Sequence, residues 1–401
     1  MNDFSELSPF SHKELLPQEE MLEVERKKGK LFIGIPKETQ YHEKRICLTP
    51  DAVTVLTANG HDIIIESDAG LGANFSDKEF SDAGAKISYD TKEVFASNIV
   101  LKIAPPTLEE IKMMKPESFL ISTMQFHTRK KEYFEALGNL KISAIALDNL
   151  KDSHGSIPVL TTLSEIAGTT SIHIAAELMS NINAGQGLML GGVTGVSPTE
   201  VVIIGAGVVA EYAAKAAIGL GATVKVFDNS ITKLRRIQES LGQRIFTNTI
   251  HPKILGKALR RCDVLIGAIR SEGRTPTIVS EDMVQLMKDG SVIIDVSIDS
   301  GGIVETSELT SHDVPTVVKH GVIHYGVPNI PSRVSRTASL SISNYFTPYL
   351  LDIANRGGIE SVLPFDKGLQ TGVYMYHGIL TSAAIGEHLK IPSKDINLLM
   401  F

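Results

Sequence analysis

The sequence predicts an α/β chain built on parallel sheets and divided into two domains. Three observations predict this. From residue 31 onward, short apolar runs alternate with segments of helical spacing, as in βα units whose strands are buried on both faces. A chain of 401 residues exceeds what a single hydrophobic core usually serves. And Val201–Asp228, VVIIGAGVVAEYAAKAAIGLGATVKVFD, reads in order as strand, glycine turn, helix, strand, acid.

That last stretch has the order a dinucleotide needs. Gly205 makes the tight turn out of the strand, and Gly207, lacking a Cβ, lets backbone approach a pyrophosphate. The helix that begins there aims free N–H groups and its positive end at the same phosphates. Ala210 holds the third fingerprint position, where a small residue still permits close helix–strand packing. Asp228 lies 21 residues after Gly207, where a carboxylate accepts the ribose hydroxyls of NAD and repels the 2′-phosphate of NADP. Lys233, Arg235 and Arg236 follow closely, and Lys233 joins the predicted cofactor set.

The other elements follow from the same rules. Residues 1–30 are an appendage, with a helix over Pro17–Lys28 or a solvated arm. Leu31–Pro36 is the first buried strand and Lys37–Arg45 a polar loop. A helix opens at Thr49-Pro50-Asp51, runs through Ala58 and stops at Asn59-Gly60. His61–Glu66 is a strand, Phe75–Ala83 a helix, and Asn98–Ile103, Ser118–Met124 and Lys141–Leu147 are further strands. Ile157–Leu160 and Leu163 close this unit. Ser164 is placed to cap a long helix, Ile166–Ile182. Glycines 185, 187, 191, 192 and 195 lead into the fingerprint. Beyond Asp228 come helices over Thr232–Leu241, Lys253–Arg260 and Glu281–Met287. Strands are expected near Ile245–Phe246 and over Asp263–Ile269, Ser291–Val296 and Val322–Tyr325, enough for a full dinucleotide-binding sheet. From Ser335 the chain turns helical, over Ala338–Asn355 and Gly378–His388. This tail is too short for a domain, so it is expected to pack back on the first unit. The domains are then 31–163 plus 336–401, and 164–335.

The bulk numbers exclude several classes. A net charge of −7 gives no general attraction to nucleic acid or anionic membrane. No apolar run approaches the roughly 20 residues that span a bilayer. The polar, acidic N-terminus lacks the apolar segment of a secretory signal. Cys47 and Cys262, far apart and without metal-type spacing, read as reduced core thiols of a cytoplasmic protein; no metal is expected.

Several motifs then carry a resemblance. Ile33–Glu38 (IGIPKE), Arg45–Pro50 (RICLTP), Ser164–Gly168 (SEIAG), Leu190–Ser197 (LGGVTGVS), the fingerprint, Asp295–Gly302 (DVSIDSGG) and Val327–Ser332 (VPNIPS) occur in this order. Over roughly residues 31–390 the chain resembles the alanine dehydrogenases and the NAD-binding subunit of the proton-translocating transhydrogenases. The resemblance implies two Rossmann-like domains facing each other across a cleft. It further implies reversible oxidative deamination of alanine to pyruvate and ammonia with NAD, and a homo-oligomer, hexamer or dimer. Arg45 matches the family's substrate-carboxylate arginine, a residue suited to bidentate binding. Asp299 matches the aspartate beside the nicotinamide. Ser164, Ile269, Val327, Asn329 and Asp299 join the cofactor contacts the resemblance implies. Asp295, inside a strand, reads as structural.

Two positions depart from the family. Its substrate lysine falls on Ala104, leaving Lys102, one strand step earlier on the same face, to substitute. Its catalytic histidine falls on Gln125, and His127, again two residues away, is the expected replacement as general base. Both changes lie on the substrate side. A different amino or keto acid, a transhydrogenase-like hydride-transfer module and a non-catalytic NAD-binding chain therefore stay open. Against the transhydrogenase reading, Asp299 stands where those subunits carry Glu, and Lys151–Thr162 lacks their Arg and Gln.

Overall fold

The apolar runs become short strands because, buried between helix layers, they need both faces apolar. The computed structural model describes residues 29–125, 128–271 and 274–400, so the helix expected over Pro17–Lys28 lies outside the described residues. Strands β1 (Phe32–Ile35), β2 (Asp62–Glu66), β3 (Lys86–Ser88), β4 (Ile99–Leu101), β5 (Phe119–Ser122) and β6 (Ser143–Ala146) form one sheet with two later strands. Strands β7 (Glu200–Ile204), β8 (Thr223–Phe227), β9 (Phe246–Asn248), β10 (Val264–Gly267), β11 (Val292–Asp295), β12 (Thr316–Lys319) and β13 (Val322–Tyr325) form the second. β14 (Val373–Tyr376) and β15 (Ile379–Leu380) return to the first.

The orders are β15-β14-β6-β5-β4-β1-β2-β3 and β12-β13-β11-β10-β7-β8-β9. In each sheet the chain starts in the middle, winds one way and then the other. The reversal falls between β1 and β4 in the first sheet and between β7 and β10 in the second. Such switch points open a crevice at the carboxyl ends of the strands, where open α/β sheets bind ligands.

The α/β, two-sheet expectation holds, with parallel pairing dominant and mixed at the edges. β12 pairs antiparallel with β13, and β14 antiparallel with both β6 and β15. The helix expected over Gly378–His388 is corrected here. Its first residues form the β14–β15 hairpin, and the helix is only Ala383–Leu389, capped by Ser382. The hairpin exists because β6 offers an edge to pair with, and β6 is more than two hundred residues away in sequence.

A second correction concerns Ser164. The long helix is Pro158–Leu178, begun by proline in its first turn, so Ser164 lies inside it and donates to the Leu160 carbonyl at 2.8 Å. Proline suits that first position because its missing N–H is unneeded there. The helix runs on to the second sheet. A Cβ at Gly168 would stand 2.3 Å from the Val209 carbonyl oxygen, so glycine is what lets this helix lie directly on the fingerprint helix, Val208–Gly219.

The tail helix packs on the first sheet. In the helix Ser335–Asn355, the buried Ala338, Ile342, Phe346, Leu350 and Ile353 recur at helical spacing. Four of these five join the core that holds Ile33, Ile65 and Leu101 of the first sheet. A separate core under the second sheet gathers Val201, Ile203, Ala210 and Ile266. No described helix is long and apolar enough to cross a membrane. Both cysteines are free and buried.

Candidate active site

At the second switch point, β7 is followed by Gly205 with φ 113°, and a Cβ there would lie 2.3 Å from the Ala268 carbonyl oxygen after β10. Gly207 differs: a Cβ built on it meets no described heavy atom within 4 Å. That open space sits in front of the fingerprint helix, whose first N–H groups lack a side-chain cap. An anion held there satisfies them. Ala210 is fully buried beneath. Asp228 stands at the end of β8. Its Oδ2 accepts from Ala206 N–H at 2.8 Å and its Oδ1 from Ser230 N–H at 2.7 Å, leaving further lone pairs for ribose hydroxyls. The residues thus fit a dinucleotide. Lys233 is exposed, with its backbone N–H on the Ser230 hydroxyl. Ile269, just past β10, donates to Ser297 Oγ at 3.0 Å, and Val327 is buried.

The opposite wall is the crest of the first sheet. Arg45 is 5% exposed, and its Nε and Nη2 donate to Glu43 Oε1 and Oε2 at 2.7 and 2.6 Å. This uses two of five guanidinium N–H groups and leaves three for a ligand. Burial disfavours the Glu43 carboxylate, but Arg45 and its hydrogen bonds outweigh that and hold its pKa below the usual value. Glu43 Oε2 also accepts from Asn329 Nδ2 at 2.9 Å. Asn329, at φ 55°, turns its backbone so that its N–H reaches Asp299. A chain of contacts thus runs Arg45–Glu43–Asn329–Asp299 from one sheet to the other. Ser332 adds a second link, donating to the His42 carbonyl at 2.6 Å and accepting from Lys44 N–H at 3.0 Å.

Asp299 follows β11. Water reaches it in the crevice, while the protein around it still raises its pKa by desolvation, against the Asn329 N–H and the Arg45 charge. Asp295 is structural in its contacts. Its carboxylate accepts from the N–H groups of Ser297, Ile303 and Val304 and so folds the loop that presents Asp299.

Lys102 comes to the same crest but is 1% exposed and already engaged. Its Nζ lies 3.6 Å from Glu38 Oε2, 3.2 Å from Glu110 Oε1 and 3.4 Å from the Lys37 carbonyl. Ala104, after β4, and Gln125, after β5, occupy the neighbouring crest positions; Gln125 has φ 43° and donates to Thr123 Oγ1 at 3.3 Å. His127 lies outside the described residues.

Three crest carboxylates were not singled out from the sequence. Nothing local in the sequence marks Glu38 or Glu43. Asp148, after β6, accepts from Met124 N–H at 3.2 Å, and burial raises its pKa against Arg270 and Arg45. Among the described residues no group of three or more His, Cys, Asp or Glu is arranged to hold a metal.

Known proteins match this architecture along its length. The family model described as "Alanine dehydrogenase/PNT, N-terminal domain" matches residues 34–167, and that for the C-terminal domain matches 171–383. An alanine dehydrogenase of Bacillus subtilis is 39% identical over 361 residues, covering 90% of this chain and 95% of its own. One of Methanococcus maripaludis is 38% identical, covering 90% and 97%. A solved L-alanine dehydrogenase superposes with a TM-score of 0.83 at 36% identity, covering 88% of this chain and 98% of its own. A transhydrogenase from Sinorhizobium meliloti, at 22% identity and a TM-score of 0.74, covers 88% and 99% and shares the fold.

Proposed function

The chain belongs to the alanine dehydrogenase/PNT family, and from that premise we propose that it catalyses the NAD-dependent, reversible oxidative deamination of alanine to pyruvate and ammonia. One observation carries the reading. The Arg45–Glu43–Asn329–Asp299 chain sets a buried guanidinium of one sheet beside a carboxylate at the dinucleotide crevice of the other. An amino acid needs that pair of opposite charges, because it presents a carboxylate and an ammonium on one carbon.

Arg45 binds the substrate carboxylate with the donors Glu43 leaves free. Asp299 orients the amino group, which sheds its ammonium proton to solvent before oxidation, and favours the positive charge that develops on the nitrogen as hydride leaves Cα. NAD, when bound, accepts that hydrogen as hydride. Gly205, Gly207 and Ala210 shape the pyrophosphate seat, and Asp228 receives the ribose. Ser164, Lys233, Ile269, Val327 and Asn329 complete the cofactor set. Lys102 adds positive charge from behind Glu38. Residues 31–163 with 336–401 form the substrate domain and 164–335 the cofactor domain. The protein works in the cytoplasm as a homo-oligomer.

The test is NADH formation by the purified protein over a panel of amino acids, alanine included, with NADH-binding fluorescence as control. Alanine turnover is the expected result. Turnover of another amino acid alone moves the specificity to Ala104 and Gln125. Intact NADH binding with no turnover sinks the dehydrogenase and leaves a chain that binds the cofactor for a partner.

A further inference from the structure

Deamination moves a proton as well as a hydride. When water adds to the imine carbon, some group must take the water's proton and later return it to the departing nitrogen. Gln125, at the β5 crest, cannot do this, because an amide neither gains nor loses a proton near neutral pH.

A carboxylate stands at the first switch point. Glu38 follows β1 and reaches across to the end of β4, where Ile103 N–H donates to its Oε1 at 2.6 Å and Ala104 N–H to its Oε2 at 3.3 Å. β1 and β4 are neighbours in the sheet and flank the point where the winding reverses. Each oxygen keeps a second lone pair. The side chain is only 8% exposed, so it meets few waters. Of the other crest carboxylates described, Glu43 is held by Arg45 and Asn329, and Asp148 follows β6, two strands beyond β4.

We propose that Glu38 is the proton carrier of the reaction: its carboxylate takes the proton of the attacking water and returns it to the leaving nitrogen. The proposal rests on the deaminating reading above. Water oxygen bonds to the imine carbon, the C=N π pair moves to nitrogen, and one water proton passes to Glu38. That proton then goes to the nitrogen. The hydroxyl proton returns to Glu38 as C=O forms and C–N breaks, releasing ammonia. Glu38 yields this last proton to solvent or ammonia and is ready again.

The surroundings suit the task. Burial pushes Glu38 up to about 7, and Glu43 pushes the same way, while Lys102 and the two backbone N–H groups oppose. A carrier whose pKa lies near the working pH both gains and loses its proton readily. The charged neighbours are Lys102, itself paired with Glu110, together with Glu43 and Arg45 on the loop after β1. The buried Cys47 thiol also feels Glu38, but burial raises it well above its ordinary value, so it stays protonated.

The experiment is the pH dependence of kcat for NADH formation from alanine, in wild type, Glu38→Gln and Glu38→Asp, with NADH-binding fluorescence confirming that each folds. Wild type should show a limb rising through about pH 7, separate from any rise at higher pH as alanine's ammonium ionises. Glu38→Gln should lose that limb and fall at least about 100-fold at pH 8. Glu38→Asp should keep a limb at reduced rate, which a merely structural carboxylate would not require. A Glu38→Gln enzyme that retains the limb overturns the proposal. If the limb is lost instead in His127→Gln, the histidine carries the proton. Wild type that binds NADH but oxidises no alanine overturns the deaminating reading itself, and the proposal with it.

Discussion

Gly205 and Gly207, two residues apart in one turn, should fail in opposite ways when each is changed to alanine. At Gly205 the φ of 113° is one that residues with a Cβ rarely adopt, and the new Cβ would lie 2.3 Å from the Ala268 carbonyl oxygen and 2.7 Å from its carbon. The dihedral alone costs on the order of 1–3 kcal/mol. The contact is with backbone rather than a flexible side chain, so β7 and β10 must move apart, adding strain of about 1–3 kcal/mol. A loss of roughly 2–6 kcal/mol is a large part of an ordinary domain's stability. Gly207 has an ordinary φ of −84° and space around its Cβ. Alanine there should leave stability within about 0.5 kcal/mol. It should still fill the space the pyrophosphate needs. Losing one charge-assisted hydrogen bond at about 1.5–3 kcal/mol would weaken NADH binding roughly 10- to 150-fold. Urea unfolding reads the first effect and NADH fluorescence titration the second. A Gly207→Ala protein that binds NADH like wild type would refute the assignment of that space to the cofactor. A Gly205→Ala protein as stable as wild type would refute the reading of the turn.

Two further outcomes follow from the buried charges. Arg45→Ala should destabilise by about 3–5 kcal/mol, because it strands a buried Glu43. Arg45→Lys should recover part of that, yet KM for alanine should rise at least about tenfold in both, since an ammonium lacks the planar fork that binds a carboxylate with two parallel N–H groups. NADH affinity should not change. Unaltered KM in Arg45→Lys would remove the arginine from the substrate site. For Glu38, the native pKa of about 7 lies above the ordinary value of 4.5, so between these values the native state holds a proton that the unfolded chain has released. Stability should therefore fall as pH rises across that window, by on the order of 3 kcal/mol from this group, and level off above it. Glu43 acts in the opposite sense at lower pH, its stabilisation being lost as pH falls through its depressed native pKa. Urea unfolding at intervals from pH 5 to 8 should show the decline in wild type and its absence in Glu38→Gln; an equal decline in both would refute it.

The cofactor side was legible because its signals are local. A buried strand, a glycine turn and a helix of small residues declare themselves within Val201–Asp228, and Asp228 lies at a distance fixed by one βα unit. The errors have local causes too. Ser164 looked like a cap by residue type, but Pro158 had already begun the helix. Gly378–His388 looked helical, but an edge of β6 drew its start into a hairpin.

By itself, then, the sequence determined the α/β class, the strand–turn–helix–strand unit of Val201–Asp228 and the family, since backbone dihedrals and side-chain periodicity depend on near neighbours along the chain. The tertiary structure alone decided what the wall opposite the fingerprint is made of. Glu38 meets Ile103 N–H across 65 residues and Glu43 meets Asn329 across 286. The charge state of a carboxylate depends on burial and on the donors that surround it, and for these groups both are supplied by segments far away in the chain.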